Sequence, residues 1–321
     1  MSRNYWLIAV LLVVMAVFPN TLFSAAKVRF ASQVKTQAYY VLPILTAMDK
    51  GFFKQQGIEV KYVPFRSGSA QHRGVAAGAV DMGLGGLTSL ATAVARGGKG
   101  KAIADPGMVV DFILWVLNKS PLRKPQDLKG TKISITRRGS TTEALARAVT
   151  RSLGLEKDVR IVAAGGSAAR VAALKSGIVD VTIGSFFSMI PLIVKGEVRQ
   201  FLDVSDYVPR GITMQVLFAH PDFIKSNPAG IRGGVKAFMQ GANFIMDNPE
   251  WALKTMVTHS DLRLSRKMAD GISPKLRYAR KAKEVASGDV RKLLSWLVDN
   301  GLMKAKEMPE VTDVSSAVIF R

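Results

Sequence analysis

Apolar and polar positions along this chain fall into short runs whose period switches between two and about 3.6. Val28-Arg29-Phe30-Ala31 and Ile58-Glu59-Val60-Lys61-Tyr62-Val63 alternate as half-buried strands do. Between them, Val41 to Lys50 carries apolar residues at helical spacing, and Gly51 stands where a left-handed residue ends a helix. The pattern then predicts a helix over 71–79, a strand over 80–84 and a helix over 88–96. Gly97-Gly98-Lys99-Gly100-Lys101 reads as a loop and lacks the spacing of a phosphate-cradling Walker motif.

The same grammar restarts after Asp127-Leu128-Lys129-Gly130. Lys132 to Thr136 predicts a strand, and Ser140-Thr141-Thr142-Glu143 opens a helix with Ser140 as N-cap and Glu143 at N3, a capping-box spacing. That helix runs to Leu153 and ends at Gly154. Strands over 159–163, 179–183 and 200–204 alternate with helices over 167–176 and 187–195. This predicts an α/β protein built from parallel βαβ units. The two halves echo each other: 76–83 and 173–181 each read as a helix end, a glycine and a Val-Asp strand entry. From Pro221 onward the chain turns mainly helical, with helices expected over 228–247, 250–259, 275–286 and 290–300, a block able to complete the first half and run behind both.

The first residues carry a different pattern. Arg3 precedes an apolar run from Tyr5 to Phe18, and Ser24-Ala25-Ala26 precedes Lys27. A positive start, an apolar stretch and a small-residue site are the parts of a secretory signal peptide. The run falls short of the ~20 apolar residues of a spanning helix, so a cleaved signal over residues 1–26 is expected rather than a retained anchor. The mature chain would then work in the periplasm.

Composition narrows the chemistry. The chain has 321 residues and no cysteine, which removes lipid attachment through cysteine, cysteine nucleophiles and cysteine metal sites. His72, His220 and His259 lie far apart and form no metal-ligand spacing, so no metal and no catalytic residue is expected. The net charge is +21, a field that attracts anions. No nucleic-acid motif accompanies it, so no nucleic-acid partner is expected. The densest basic stretch holds Arg263, Arg266, Lys267, Lys275, Arg277, Arg280, Lys281 and Lys283 against Asp270; it reads as a solvated helix face or a surface for anionic lipid.

Ordered blocks of sequence carry a resemblance. Ala47-Met48-Asp49-Lys50-Gly51-Phe52-Phe53-Lys54-Gln55-Gln56-Gly57-Ile58-Glu59-Val60 is followed by Gly78-Ala79-Val80-Asp81-Met82-Gly83 and by Asp127-Leu128-Lys129-Gly130-Thr131-Lys132-Ile133. Ala173 to Asp180 and His220 to Pro228 complete the set. Together these resemble the periplasmic solute-binding proteins of nitrate, taurine, alkanesulfonate and thiamine-precursor ABC transporters. The resemblance implies a two-lobed α/β binding-protein fold of type II, with lobe 1 over 27–108 and 214–321 and lobe 2 over 109–213. It implies two crossover segments near 104–111 and 206–213, and C-terminal helices. It also implies no cofactor, a monomer, a small anionic ligand (sulfonate, nitrate or carboxylate) and a membrane permease as partner. Two other functions stand beside it: a ligand-sensing partner of a membrane receptor, and a pyrimidine-biosynthesis enzyme on the same fold, whose cysteine-rich motif this chain lacks.

Ligands of open α/β sheets sit beyond the carboxyl ends of strands, against helix N-termini. Four loops qualify. The first offers Gln33, Lys35, Gln37 and Tyr39. The second offers Gly85 and Gly86 for close backbone approach, or as a plain turn, with Thr88 as a cap. The third, Arg138 with Ser140, Thr141 and Thr142, resembles the helix opening that meets a sulfonate-type group in relatives; Arg138 could equally face solvent. The fourth offers Ser185 and Phe186, and its lack of an acid argues against a ligand ammonium. Trp115, after the first crossover, is expected in a β core.

Overall fold

A computed structural model describes residues 25–33, 37–108 and 112–317. The expected signal peptide falls outside the described residues except for Ala25 and Ala26, and so does Lys35.

The strands are β1 Ala26–Gln33, β2 Ile58–Phe65, β3 Met82–Gly86, β4 Lys101–Ala104, β5 Phe112–Leu117, β6 Lys132–Ile135, β7 Arg160–Ala163, β8 Val181–Ser185, β9 Val198–Asp203 and β10 Gln215–Ala219. The helices in the two α/β halves are α1 Ala38–Asp49, α2 Phe52–Gln55, α3 Gly68–Ala76, α4 Leu87–Val94, α5 Thr141–Ser152, α6 Ser167–Lys175 and α7 Phe186–Ile193. The C-terminal block adds α8 Pro221–Ser226, α9 Pro228–Asp247, α10 Pro249–Thr258, α11 Arg266–Ile272, α12 Ser287–Asp299 and α13 Val311–Val314. No helix among the described residues is long and apolar enough to cross a membrane.

The strands form two five-stranded sheets, ordered β2-β1-β3-β10-β4 and β7-β6-β8-β5-β9. The orders match position by position. In each sheet three parallel strands are followed by one antiparallel strand from the other half of the chain: β10 lies between β3 and β4, and β5 between β8 and β9. The chain therefore passes between the lobes after Ala104 and again between Asp203 and Gln215. The echo at 76–83 and 173–181 has a structural counterpart, since each segment leads a helix through a left-handed glycine into the third strand of its sheet (Gly78 φ 67°, Gly177 φ 74°).

Two differences from the sequence pattern matter for the site. The pattern predicts a helix over 275–286, yet past the short turn Ser273–Lys275 the segment runs extended. Lys283 exchanges both backbone hydrogen bonds with Asp105, and the Ala279 N–H donates to the Pro106 carbonyl. Pairing with the crossover outcompetes a helical propensity that is weak on its own scale. Gly85 and Gly86, expected in a loop after the strand with a plain turn as the alternative, are the last residues of β3, and Gly86 has an ordinary φ of −72°. Strand β3 thus continues two residues beyond its apolar signal, because β10 pairs along it as far as Gly86.

The core is continuous across both lobes. Phe30, Leu42 and Phe238 share one buried cluster with Phe187 and Ile190 of the second lobe. Leu90 and Ala91 share another with Ile133, Ala146 and the α12 residues Leu293, Leu294 and Leu297. The C-terminal helices therefore serve both sheets.

Candidate ligand-binding cleft

The carboxyl ends of all six parallel strands that lead into helices point at one place. Gln33 ends β1; Arg66, Ser67, Gly68 and Ser69 follow β2; Gly86 ends β3; Thr136 follows β6; Ser167 follows β7; Ser185 ends β8. These residues line a cavity of about 70 Å³ with Gln37, Tyr40, Ser89, Phe112, Ser140, Thr141, Thr142, Arg170, Ser188 and Gln215. That is room for a few waters or one compact solute. Each of these strands feeds a helix whose N-terminus faces the cavity, and the backbone N–H groups there favour negative charge. Hydroxyls dominate the wall and no carboxylate is among the lining residues.

Two cations line the cleft, Arg66, which is exposed, and Arg170, which is buried; Arg170 is the one held inside the protein. It sits one turn into α6, is only 4% exposed, and occurs in none of the ion pairs among the described residues. Its partners are neutral oxygens. Nε donates to the Ile183 carbonyl (3.2 Å), and Nη1 to Thr136 Oγ1 (2.7 Å) and the Gly165 carbonyl (2.8 Å). Nη2 reaches only Ser167 Oγ, at 3.4 Å. A guanidinium has five N–H donors, so one Nη2 hydrogen is left over at the cleft wall. Burial alone pushes the Arg170 pKa down to about 10. A buried cation facing no anion is costly, and a bound anion would remove that cost.

The third loop is built by its caps. Ser140 Oγ accepts from the Glu143 N–H at 3.3 Å, as the capping pattern predicts. Glu143 does not return the bond to Ser140. Its carboxylate accepts instead from the Gly139 N–H (2.6 Å), Arg138 Nη1 (2.8 Å) and Arg147 Nε (3.0 Å). Burial pushes the Glu143 carboxyl up, but these bonds outweigh burial and hold it below the usual range. Arg138 is therefore spent on Glu143 and does not line the cleft. Thr142 Oγ1 accepts from the Thr136 N–H at 2.8 Å, which ties the helix start to the end of β6.

The lobes touch directly across the cavity. Thr141 N–H donates to Ser89 Oγ at 3.1 Å, the two hydroxyls lie 3.1 Å apart, and Gln37 Nε2 donates to Ser167 Oγ at 2.9 Å. A Cβ at Gly86 would stand 2.5 Å from Thr141 Oγ1, and one at Gly166 would stand 2.9 Å from the Arg66 carbonyl. Both glycines thus leave room for the opposite lobe.

Of the residues expected at the site, the cavity brings together Gln33, Gln37, Gly86, Ser140, Thr141, Thr142 and Ser185. Four others are placed elsewhere besides Arg138. Tyr39 is fully buried, stacked on Phe187 at 4.3 Å and on Tyr278 at 5.0 Å, and its hydroxyl donates to the Arg277 carbonyl. Gly85 packs against the His72 ring and Phe218. Thr88 is turned inward and its hydroxyl is sealed from solvent; its neighbour Ser89 takes the cleft position. Phe186 lies under Lys275, whose ammonium is 4.5 Å from the ring centre. Trp115 lies in the β core and donates to the Gly184 carbonyl at 3.0 Å. Arg170, Ser167, Ser67, Ser89 and Gln215 were not anticipated. The strand end before Ser67 and Ser167 was the available signal for the serines. Arg170, in Ser-Ala-Ala-Arg-Val, looks from sequence like one more exposed cation.

Two matched sheets with exchanged antiparallel strands and a polar cleft between them define the fold of the periplasmic binding proteins. A solved structure of the periplasmic aliphatic sulphonate binding protein SsuA from Escherichia coli superposes with a TM-score of 0.74 at 18% identity, covering 90% of this chain and 92% of that one. The periplasmic nitrate-binding protein NrtA from Synechocystis gives a TM-score of 0.73 at 16% identity, with coverage of 92% and 88%. By sequence, the 4-amino-5-hydroxymethyl-2-methylpyrimidine phosphate synthase THI13 of Saccharomyces cerevisiae is 24% identical over 255 residues, 73% of this chain and 71% of that protein. The NMT1/THI5-like family model matches residues 38–252. The chain belongs to the NMT1/THI5-like family.

Proposed function

We propose that this protein is the extracytoplasmic solute-binding component of an ABC importer, that it captures a small anionic solute of sulfonate, nitrate or carboxylate type, and that it performs no chemistry on it. The ligand would lie between lobe 1 (27–108 and 214–321) and lobe 2 (109–213), held by Gln33, Gln37, Gly86, Ser140, Thr141, Thr142 and Ser185, with Arg170 as its charge partner. The observation that carries this reading is Arg170, a buried guanidinium answered only by neutral oxygens in a cleft without a carboxylate. The missing acid also argues against a ligand bearing an ammonium. The signal pattern supports export with cleavage after Ala26. The membrane permease would read the closed form that the ligand selects.

A thermal-shift screen of residues 27–321 against sulfonates, nitrate, carboxylates, pyrimidines and amines tests this, because a ligand of the native state alone raises Tm by mass action. We expect a saturable shift with one anionic class. Arg170→Gln should then weaken that ligand at least 100-fold, the scale of removing one partner of a buried charge pair, and Arg170→Lys should restore part of the loss. A shift with amines, or an Arg170→Gln protein that is folded and binds normally, would overturn the reading. The yeast relative makes a pyrimidine-forming enzyme the second reading. Against it stand the absence of cysteine and the burial of His72, whose Nε2 is held 3.1 Å from the Gly86 carbonyl.

A further inference from the structure

A second group of cations lies outside the cleft, on the line where the lobes meet. Arg73 belongs to α3 and Arg96 follows α4, both in the first lobe; Arg137 follows β6 in the second. A Cβ built on Gly139 would stand 2.7 Å from Arg96 Nη1. The Arg96 guanidinium therefore reaches across the seam and rests on backbone two residues from Arg137. Gly139 permits this with a left-handed φ of 75° and no side chain. Arg137 is half-buried, its Nη1 donates to the Arg138 carbonyl at 3.2 Å, and its Nε is sealed from solvent without a partner. Burial lowers the Arg137 pKa, and the charges of Arg73 and Arg96 lower it further, so each of these two cations acts on Arg137.

No acid answers them. Among the described residues none of the three takes part in an ion pair. The carboxylate beside the loop, Glu143, is taken by Arg138 and Arg147. Arg73 and Arg96 are exposed, so neither is fixed there by burial. Like charges brought together when lobes close oppose that closure unless something of opposite sign lies between them. Guanidinium groups match the oxygens of tetrahedral oxyanions in charge and in geometry.

We propose that Arg73, Arg96 and Arg137 form a second anion site on the lobe seam, one that takes a small free oxyanion such as inorganic phosphate or sulfate and is complete only when the lobes are closed. By linkage, an anion there favours closure, and closure favours the anion. Binding in the cleft would then depend on the phosphate or sulfate around the protein as well as on its own solute.

Calorimetric titration with inorganic phosphate, in chloride buffer at constant ionic strength, tests this in the wild type, Arg96→Gln, Arg137→Gln and Arg170→Gln. Small-angle scattering follows the radius of gyration in parallel. The wild type and Arg170→Gln should show saturable binding and compaction, while Arg96→Gln and Arg137→Gln should bind at least tenfold more weakly. Arg96 is exposed, so its variant remains informative even if Arg137→Gln fails to fold. Absence of saturable heat in the wild type would overturn the proposal, and so would unchanged binding in Arg96→Gln. Loss in Arg170→Gln alone would place the phosphate in the cleft and also overturn it. Sedimentation with phosphatidylglycerol vesicles separates the source of the anion: vesicle binding that needs Arg96, without binding of free phosphate, would make the ligand a lipid headgroup and defeat the proposal as stated.

Discussion

Tyr40 and Ser188 line the cleft, while their chain neighbours Tyr39 and Phe187 stack on each other away from it. The lobes thus meet along two seams separated by single residues. The cleft seam is polar: Ser89 with Thr141, Gln37 with Ser167, and beside them the Arg170 guanidinium, met only by neutral oxygens. The other seam is aromatic, with Phe187 on Tyr39, Tyr39 on Tyr278, and the Tyr278 hydroxyl donating to the Tyr39 carbonyl at 2.8 Å. Hydroxyl contacts exchange with water at little net cost, since each is worth only about 1 kcal/mol. Stacked rings lose their buried area if they part. The polar seam is therefore the one able to open to a solute, and the aromatic seam the one that stays dry.

The largest test of that contrast is Tyr39→Ala. It should cost about 3–5 kcal/mol of stability, as removal of a large buried ring does, and leave the affinity of the folded fraction for an anionic ligand nearly unchanged. Chemical denaturation and a binding titration read the two quantities. A protein of normal stability with lost affinity would move Tyr39 into the ligand wall.

Acid should act on the polar seam next. His72 is fully buried beneath Gly86, and burial first, then the charge of Arg137, push its pKa down to about 3 despite its bond to the Gly86 carbonyl. The unfolded chain takes up this proton near its ordinary value of 6.5 and the folded chain does not. Stability is therefore full above pH 6.5 and falls as the pH drops toward 3, by about 3 kcal/mol at pH 4. Denaturation between pH 7 and 4, with His72→Gln as the comparison, should show a steeper loss in the wild type. Equal slopes would mean that His72 gains its proton within the fold.

Gly86→Val inserts a side chain where Thr141 Oγ1 stands 2.5 Å away. The strain of overpacking is about 1–3 kcal/mol, and here it should appear as weaker ligand binding, roughly tenfold to a hundredfold, because the lobes can relieve it by parting. Combining Gly86→Val with the shorter side chain of Thr141→Ala should recover part of the affinity. No recovery in the double variant would detach Gly86 from the seam. Smallest is Arg138→Ala. Its partner Glu143 keeps Arg147 and the Gly139 N–H, and Arg138 itself is largely exposed, so the loss should stay below about 1 kcal/mol with affinity unchanged. A large loss of affinity would return Arg138 to the ligand.

The sequence by itself determined the alternation of strands and helices, the repeat that makes two alike sheets, and the cap at Ser140. These are local: period, glycine position and N-cap chemistry act within a few residues. It also pointed at four strand ends, and seven of the residues named there do line the cleft. Tertiary structure alone decided the rest. The side chain of Thr88 and that of Ser89 exchange roles because β3 runs to Gly86 and shifts where the helix begins. Segment 275–286 gave up its helix because the crossover at Asp105 offered it backbone partners. Tyr39 and Phe186 left the site for contacts with Tyr278 and Lys275, both far away along the chain. Arg170 was invisible for the same reason. Whether an arginine meets water, a carboxylate or nothing but neutral oxygens depends on what the other lobe and the neighbouring strands place around it, and no local pattern records that.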